Sequence, residues 1–427
     1  MHVLMAAAGG RGDVAPFTGL AAAIRAAGHS VTIASNDEYE SLVVGCGLEF
    51  LPLPGTHGMF DVPRWVRVAG GPASAVGLIR LVPEHIRTLH KAVLAVARQD
   101  APDVLALTGI TTLGGYRVAQ GLGLHGMDLL LQPGHTTADF PPSFVGGRSF
   151  GRLGNRVVGT AANAALEAMA GPARELRHEL GLPRRGLRDG LLGQPDARRW
   201  PVFYGFSPAV VTRPADWPSG CEVTGYWWPQ RPAAWSPPTE LEAFLDSGPP
   251  PVFFGFGDMT PENTSELIDL AAEAGRQAGV RQVIQAGQTG ILAISPVTGR
   301  RLPAGDSIVI GDVPHDWLFP RMAAVVHHAG AGTAAAGLRA GVPAVTVPVL
   351  ADQPFWATRL AALGAGSPPI PHKQLSLAKL APAIRDAVTR PSYRTRAEAL
   401  SRRMASEDGA APVIKMLARL SADRSAG

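Results

Sequence analysis

The stretch MHVLMAAAGGRGDVAPFTGLAAAIRAAGHSVTIAS, residues 1–35, indicates the fold class. Residues 2–7 form a short apolar run typical of a buried strand, and residues 9–13 form a Gly-rich turn. Residues 16–27 carry apolar side chains on one helical face, and residues 30–34 form a second apolar run. Strand, turn, helix and strand in this order make a βαβ unit, and such units build parallel sheets.

The same order returns in the second half of the chain. Apolar runs predict strands at residues 251–256, 280–286, 324–327 and 342–347, and helical patterns fill 261–278 and 333–340 between them. A turn at 257–260 and a Gly-rich turn at 329–333 join strand to helix. The second half is therefore predicted to build a parallel sheet of its own.

A Pro- and Trp-rich stretch, WWPQRPAAWSPP at residues 227–238, separates the two halves. Its prolines are incompatible with a helix interior or a central strand. We predict an α/β protein with two Rossmann-like domains that face a central cleft, where ligands of open parallel sheets bind. The predicted parts are an N-terminal domain at 1–225, a linker at 226–250, a C-terminal domain at 251–390, and a helical segment at 391–427 that packs back on the N-terminal domain.

Composition narrows the function classes. The 427 residues carry a net charge of +4 without a block of Lys or Arg, so no nucleic-acid partner is expected. Cys46 and Cys221 are far apart and fit no metal-binding motif, which favours a reduced, cytoplasmic protein. No basic, apolar leader and no long apolar run are found, so neither a signal peptide nor stable membrane insertion is predicted. A monomer or weak dimer is expected.

The stretch HHAGAGT at residues 327–333 has the features of an anion site. Small residues let the backbone approach a ligand closely, and Gly332 and Thr333 open a helix whose free N–H groups and dipole favour negative charge. His328 adds a directional donor. After the next strand, Asp352 and Gln353 offer an acceptor and an amide that suit sugar hydroxyls. Together these residues predict a diphosphate and sugar site that needs no metal.

Residues 311–371 resemble the donor-binding region of family-1 glycosyltransferases, in particular the sterol glucosyltransferase and antibiotic glycosyltransferase branch. That branch has the pattern PHDWLFP, then HHGGAGT, then DQPFW, and this chain has PHDWLFP at 314–320, HHAGAGT at 327–333 and DQPFW at 352–356. GGRGDVAPF at 9–17 is similar to the branch's GSRGDVxPF, and GFGDM at 255–259 is similar to its GFGSM. These matches span nearly the whole chain in the expected order.

The resemblance implies a GT-B fold and an inverting, metal-independent hexosyltransferase with no cofactor. A nucleotide diphosphate sugar, UDP-glucose or a dTDP-sugar, would be the donor, and a sterol, macrolide or other polyketide the acceptor. Asp13 would be the general base that takes the proton of the acceptor hydroxyl. Other expected contacts are Gly12, His328, Gly330, Gly332 and Thr333 for the diphosphate, Gln288, Val313 and His315 for the base, and Asp352 and Gln353 for the sugar.

The acceptor site is expected in the N-terminal domain. Its candidate residues come from irregular or amphipathic stretches: Met59, Phe60, Trp65, Leu81, Gln132, His135, Thr136 and Phe140. The chain departs from the branch's pattern at Asp258, where a Ser is usual, and at Gln288, where relatives often have Trp. Both substitutions bear on donor binding.

Two alternatives stay open at this stage. Gly10, Gly12 and Ala15 formally fit a dinucleotide fingerprint, with Asp37 at the spacing of its ribose-binding acid, so an NAD(P)-dependent oxidoreductase is one alternative. A non-catalytic helper protein on the GT-B fold is the other, since Asp258 and Gln288 depart from the donor-binding pattern. Asp13 could also simply cap the helix that follows it.

Overall fold

A computed structural model describes residues 1–57, 59, 74–168, 171–183, 200–257, 264–285 and 306–426. The chain divides into two compact units. The first contains Met1–Pro142, Ser149–Ala234 and Glu407–Gly427, and the second contains Ser143–Arg148 and Trp235–Ser406. Each is described by itself below.

The described part of the first unit contains a seven-stranded parallel sheet in the order β3-β2-β1-β4-β5-β6-β7. Its strands are β1 His2–Ala7, β2 Ser30–Ser35, β3 Glu49–Pro52, β4 Val104–Thr108, β5 His125–Leu130, β6 Val202–Tyr204 and β7 Cys221–Val223. Its helices are α1 Arg11–Ala26, α2 Glu40–Gly45, α3 Ser74–Asp100, α4 Thr112–Leu122, α5 Gly151–Ala168, α6 Gly171–Glu179 and, at the end of the chain, α14 Ala411–Ala426.

The second unit repeats this arrangement on a smaller scale. Its described strands form a five-stranded parallel sheet in the order β10-β9-β8-β11-β12. They are β8 Val252–Gly255, β9 Gln282–Gln285, β10 Ser307–Ile310, β11 Ala324–His327 and β12 Ala344–Thr346. The helices are α7 Thr239–Asp246, α8 Thr264–Ala278, α9 His315–Leu318, α10 Ala331–Arg339, α11 Gln353–Ala362, α12 Leu377–Thr389 and α13 Pro391–Met404. Two parallel α/β sheets confirm the predicted fold class.

Each unit has its own hydrophobic core. The first core collects β1, β2, β4 and β5 with the inner face of α1, including Met5, Phe17 and Ile24. The second packs β8, β11 and β12 against α8 and α12, including Phe254, Ile268 and Ile384. Strands of parallel sheets are covered on both faces, which explains why they read as nearly unbroken apolar runs in the sequence.

Two segments that were predicted as connecting turns contain the first residues of the helices that follow them. Residues 9–13 were expected to be a turn, but α1 begins at Arg11 and places Asp13 inside it. Residues 329–333 were also expected to be a turn, and α10 begins at Ala331. In both places an extended glycine, Gly10 or Gly330, precedes the helix. Helix starts are hard to locate from sequence because the first N–H groups have no partner within the helix.

The unit boundaries differ in detail from the predicted domains. Part of the predicted linker belongs to the first unit, where Trp227 is buried against Phe17 and donates its indole N–H to the Gly409 carbonyl at 2.8 Å. The predicted helical segment from 391 is divided: α13 belongs to the second unit and α14 to the first. No helix in the described ranges has the length and apolarity needed to cross a bilayer.

Candidate active site

In the second unit, the residues predicted for the diphosphate and the sugar follow two neighbouring strands, β11 and β12. β11 lies between β8 and β12, and its last residue, His327, pairs with Gly255 and with Thr346. Because all three strands are parallel, the segments after them leave the sheet at the same edge. His328, the start of α10 and the segment that leads to Asp352 therefore share the edge where open α/β sheets bind ligands.

The start of α10 contains N–H groups that have no acceptor within the helix. Gly330 is the N-cap in an extended conformation and makes no side-chain cap. The Ala334 N–H donates to the Gly330 carbonyl at 2.9 Å, and the helical hydrogen-bond pattern begins with this bond. The N–H groups of Ala331, Gly332 and Thr333 thus have no acceptor within the helix, Gly332 is exposed and Thr333 is half-buried. This geometry suits an anion.

The His328 imidazole lies in a slot between two glycines. A Cβ on Gly257 would lie 2.9 Å from His328 Cε1, and one on Gly330 would lie 2.5 Å from Nε2. Gly257 also has a positive φ of 65°. Burial lowers the pKa of His328 to about 4, an effect that the Gly255 backbone partly offsets. The ring is therefore neutral at neutral pH, and Nδ1 is buried without a hydrogen-bond partner among the described residues.

The side chains of Asp352 and Gln353 already form hydrogen bonds with residues close to them in sequence. The Trp356 indole donates to Asp352 Oδ2 at 2.7 Å, and burial raises the pKa of Asp352. Gln353 is buried, and its side-chain carbonyl accepts the N–H groups of Val349 at 2.8 Å and Leu350 at 3.2 Å. The amide nitrogen of Gln353 is the group left to donate to a ligand.

Two of the three residues predicted for the nucleotide base, Val313 and His315, lie in the loop before α9 and at its first residue. Val313 is buried, and the His315 ring stacks on Phe319 with centroids 4.2 Å apart. Trp317 packs against Trp235 and under the Arg321 guanidinium. Gln288, the remaining base-pocket candidate, and Asp258 lie outside the described residues.

Asp13 lies in the first unit at the corresponding edge, directly after β1. It occupies the third position of α1, and its Oδ2 accepts the Gly10 N–H at 2.9 Å. Asp13 does not precede the helix as the sequence alternative had it, but from within the first turn its side chain bonds the N-cap N–H. Gly9 has a φ of +148°, and a Cβ there would lie 2.4 Å from Asp13 Oδ2. Gly12, the second residue of the helix, is exposed.

The acceptor candidates are only partly described. Phe60, Trp65 and the side chain of Leu81 lie outside the described residues, and Met59 is half-buried after β3. Gln132, His135, Thr136 and Phe140 are half-buried in the loop that follows β5. Thr136 accepts a hydrogen bond from the Asn163 side chain at 3.0 Å on α5.

The His135 ring faces inward from this loop. It hydrogen-bonds the Tyr204 hydroxyl and contacts Trp217 edge-on, and Phe140 contacts the same indole. Burial lowers the pKa of His135 to about 4. Tyr204 and Trp217 were not singled out from the sequence, because their place beside the loop depends on the pairing of β5 with β6.

Sequence reasoning assigned no separate role to His327, and it considered Ala329 only as one of the small residues that let the backbone approach a ligand; together the two residues form the bend between β11 and α10. The doubled histidine was visible in the sequence. The left-handed backbone of Ala329, at φ +66°, was not, because alanine seldom adopts it.

Comparison with known proteins supports the predicted resemblance. Residues 296–420 match the family model for the C-terminal domain of erythromycin biosynthesis protein CIII-like proteins. The chain is 35% identical over 425 residues to the O-mycaminosyltylonolide 6-deoxyallosyltransferase of Streptomyces fradiae, covering 96% of this chain and 95% of that protein. It is 30% identical over 424 residues to a sterol 3-beta-glucosyltransferase of Arabidopsis thaliana, covering 97% of this chain and 65% of the relative.

Solved structures show the same fold. The calicheamicin glycosyltransferase aligns with a TM-score of 0.70 at 18% identity over 98% of this chain and 97% of that one. A glycosyltransferase of Streptomyces sp. SF2575, solved with thymidine diphosphate, aligns with a TM-score of 0.64 at 22% identity over 98% and 99%. The relatives found by sequence are glycosyltransferases, and they favour glycosyl transfer over the oxidoreductase alternative. The chain belongs to the glycosyltransferases of the natural-product and sterol branch, on a GT-B fold.

Proposed function

We propose that the protein is an inverting, metal-independent glycosyltransferase that moves a hexose from a nucleotide diphosphate sugar, UDP-glucose or a dTDP-sugar, to a hydroxyl of a hydrophobic acceptor. The observation that carries this proposal is the start of α10, where three N–H groups without helical acceptors adjoin the neutral imidazole of His328. Donor chemistry needs such a site, because the leaving nucleoside diphosphate gains negative charge as the glycosidic bond breaks.

The α10 N-terminus is proposed to stabilise that charge in place of a metal ion. A helix carries about half a positive elementary charge at its N-terminus, and its N–H groups donate directly to phosphate oxygens. His328 is neutral and so contributes a hydrogen bond rather than a charge. In the described residues, the only cluster of potential metal ligands is Asp37, Glu38 and His57, all exposed on the first unit.

Asp352 and Gln353 are proposed to hold the transferred sugar. The Gln353 carbonyl is already used by the Val349 and Leu350 N–H groups, so its amide would act on the sugar as a donor. The Trp356 contact fixes the orientation of the Asp352 carboxylate. An acceptor and a donor side by side match the hydroxyl pattern of a hexose.

Asp13 is proposed as the general base. An alcohol is a weak nucleophile, and a carboxylate within hydrogen-bond reach can take its proton as the oxygen attacks the anomeric carbon. Attack from the face opposite the leaving diphosphate inverts that carbon. The Gly10 N–H that binds Asp13 Oδ2 holds the carboxylate in place without neutralising it.

The acceptor is proposed to be a sterol, a macrolide or another polyketide. Two relatives support this class: one is named for a tylonolide derivative and the other for a sterol. Loop residues Gln132, His135, Thr136 and Phe140 are the described candidates for the acceptor site, with Met59. His135 and Phe140 contact Trp217, and Thr136 is bonded to Asn163, so these three residues shape the loop and Gln132 is its candidate for ligand contact.

A direct test removes one N–H from the proposed diphosphate site. Gly330 has φ −59° and ψ 144°, which is the conformation favoured before proline, and Ala331 is the first helical residue. Ala331→Pro should therefore preserve α10 while deleting one donor. Binding of UDP-glucose and dTDP-glucose, measured calorimetrically in EDTA, should weaken by about tenfold for whichever donor the wild type prefers.

Ala331→Ser, which keeps the N–H, is the matched control and should bind as the wild type does. Transfer to sterol and macrolide acceptors should also proceed in EDTA. Unchanged donor affinity in Ala331→Pro would contradict the helix-terminal site. Loss of transfer in EDTA that magnesium or manganese restores would contradict the metal-independent mechanism.

A further inference from the structure

His327 is a fully buried histidine next to the proposed diphosphate site. It is the last residue of β11, and its Nδ1 accepts the backbone N–H of Ala329 at 3.1 Å. Since Nδ1 accepts, the neutral ring carries its proton on Nε2. Nε2 is buried and has no hydrogen-bond partner among the described residues. Within the described part of the chain, the hydrogen bond of this side chain is therefore made to the bend that leads into α10.

That bend has an unfavourable backbone conformation. Ala329 has a φ of +66°, in the left-handed region that L-residues other than Asn and Asp rarely adopt. The following residue is Gly330, the N-cap of α10. A hydrogen bond from the Ala329 N–H back to residue 327 closes the bend and so offsets part of its conformational cost. The direction in which α10 leaves β11 depends on this bend.

Side-chain hydrogen bonding across the sheet does not explain why position 327 has a polar residue. The Oγ1 of Thr346, which pairs with His327 across β11 and β12, is also buried without a partner among the described residues. Buried polar atoms without partners destabilise a fold. A histidine that leaves one ring nitrogen unsatisfied therefore points to a role other than packing. Burial, with His328 and His315 nearby, lowers the pKa of His327 to about 3, which keeps Nδ1 available as an acceptor.

We propose that His327 is a positioning residue: by binding the Ala329 N–H it holds the left-handed bend and so aims the N–H groups of Ala331, Gly332 and Thr333 at the donor diphosphate. It would not touch the donor. This inference rests on the proposed function, because it presumes that the diphosphate binds at the start of α10.

Two amide variants separate positioning from packing. The Asn side chain can accept the N–H of the residue two positions later, in the same place as Nδ1. The Gln carbonyl lies one bond further out, where Nε2 would be. His327→Asn should therefore keep the bond to Ala329, whereas His327→Gln and His327→Leu should lose it. Because Asn is smaller, His327→Asn leaves the larger cavity and should melt at a lower temperature than His327→Gln.

The measurement is binding of UDP and dTDP by calorimetry, with uridine and thymidine as controls and a melting curve for each variant. We expect about tenfold weaker diphosphate binding in His327→Gln and His327→Leu, nearly wild-type binding in His327→Asn, and unchanged nucleoside binding in all three. His327→Asn would then bind diphosphate more tightly than His327→Gln although it melts at a lower temperature. A purely structural role for His327 predicts that the variant with the lower melting temperature also binds more weakly. If the Leu variant does not fold, the two amide variants still decide the question.

Equal affinity in the Asn and Gln variants, or affinities that follow the melting temperatures, would overturn the positioning role while leaving the diphosphate site intact. If the wild type binds neither UDP nor dTDP, or if Ala331→Pro leaves diphosphate binding unchanged, the proposed site itself is wrong and the inference falls with it.

Discussion

At the scale of single residues, Asp13 combines a structural contact with the proposed chemistry. Its carboxylate accepts the Gly10 N–H, and an Asn side-chain carbonyl can accept the same bond. Asp13→Asn should therefore fold and bind donor normally but lack a base, and kcat should fall roughly 10²–10⁴-fold. Initial rates at saturating donor, with a donor titration beside them, measure this.

The control for this prediction is Asp37→Asn. Asp37 is the acid of the alternative dinucleotide fingerprint, and it is exposed and bonded to His57 at 3.0 Å. Its removal should leave turnover unchanged. Wild-type turnover in Asp13→Asn, or an equal loss in both variants, would exclude Asp13 as the base.

At the scale of elements, the last helix is an integral part of the first unit. One face of α14 places Val413, Met416, Leu417 and Leu420 in the core that also contains β1 and α1. Leu417 is fully buried, so Leu417→Ala should lower the free energy of unfolding by about 2–5 kcal/mol through lost burial and a new cavity.

Lys415→Ala, on the exposed face of the same helix, is the matched variant and should change stability by less than about 0.5 kcal/mol. Urea unfolding followed by fluorescence measures both. Equal small effects would mean that α14 is dispensable for the core of the first unit.

At the scale of the whole molecule, buried ionisable groups shape the dependence of stability on pH. Burial raises the pKa of Asp128 on β5 from 3.8 to about 7, and the Trp200 indole only partly offsets this. Between about pH 4 and pH 7 the unfolded chain has lost this proton while the folded chain keeps it. Asp128 therefore lowers stability progressively as pH rises through this range.

Three histidines act in the opposite direction. Burial lowers the pKa of His135 and of His328 to about 4 and that of His327 to about 3, from 6.5 in each case. Between about pH 6.5 and these folded-state pKa values the unfolded chain binds protons that the folded chain does not, so the three histidines lower stability progressively as pH falls through this range. Stability should therefore fall steeply on the acid side.

Asp128→Asn isolates the contribution of the carboxylate, because Asn keeps its shape but cannot ionise. The stability of this variant relative to the wild type should rise by roughly 2–4 kcal/mol between pH 4 and pH 8. Urea midpoints at several pH values measure this. A constant difference across the range would mean that Asp128 titrates as in the unfolded chain.

Much of the fold followed from local sequence patterns. The predicted strands at 2–7 and 324–327 agree residue for residue with β1 and β11, because buried parallel strands are short apolar runs bounded by turn residues. The fold class and the glycosyltransferase resemblance came from motifs of adjacent residues. Phosphate-type sites are built largely from backbone N–H groups of one loop and one helix, so their sequence signature is contiguous.

Other features arose from contacts between residues distant in sequence. The assignment of α14 to the first unit, the division of the linker, and the Gln353 carbonyl bound to Val349 and Leu350 all depend on three-dimensional packing. The left-handed bend at Ala329 and its bond to His327 contradict the intrinsic preference of alanine. Local propensity is worth at most a kcal/mol or so per residue, so burial and tertiary hydrogen bonds can override it. Motifs of neighbouring residues were therefore sufficient to predict the fold class and the region of the candidate site, whereas tertiary packing decided how each of its side chains is held.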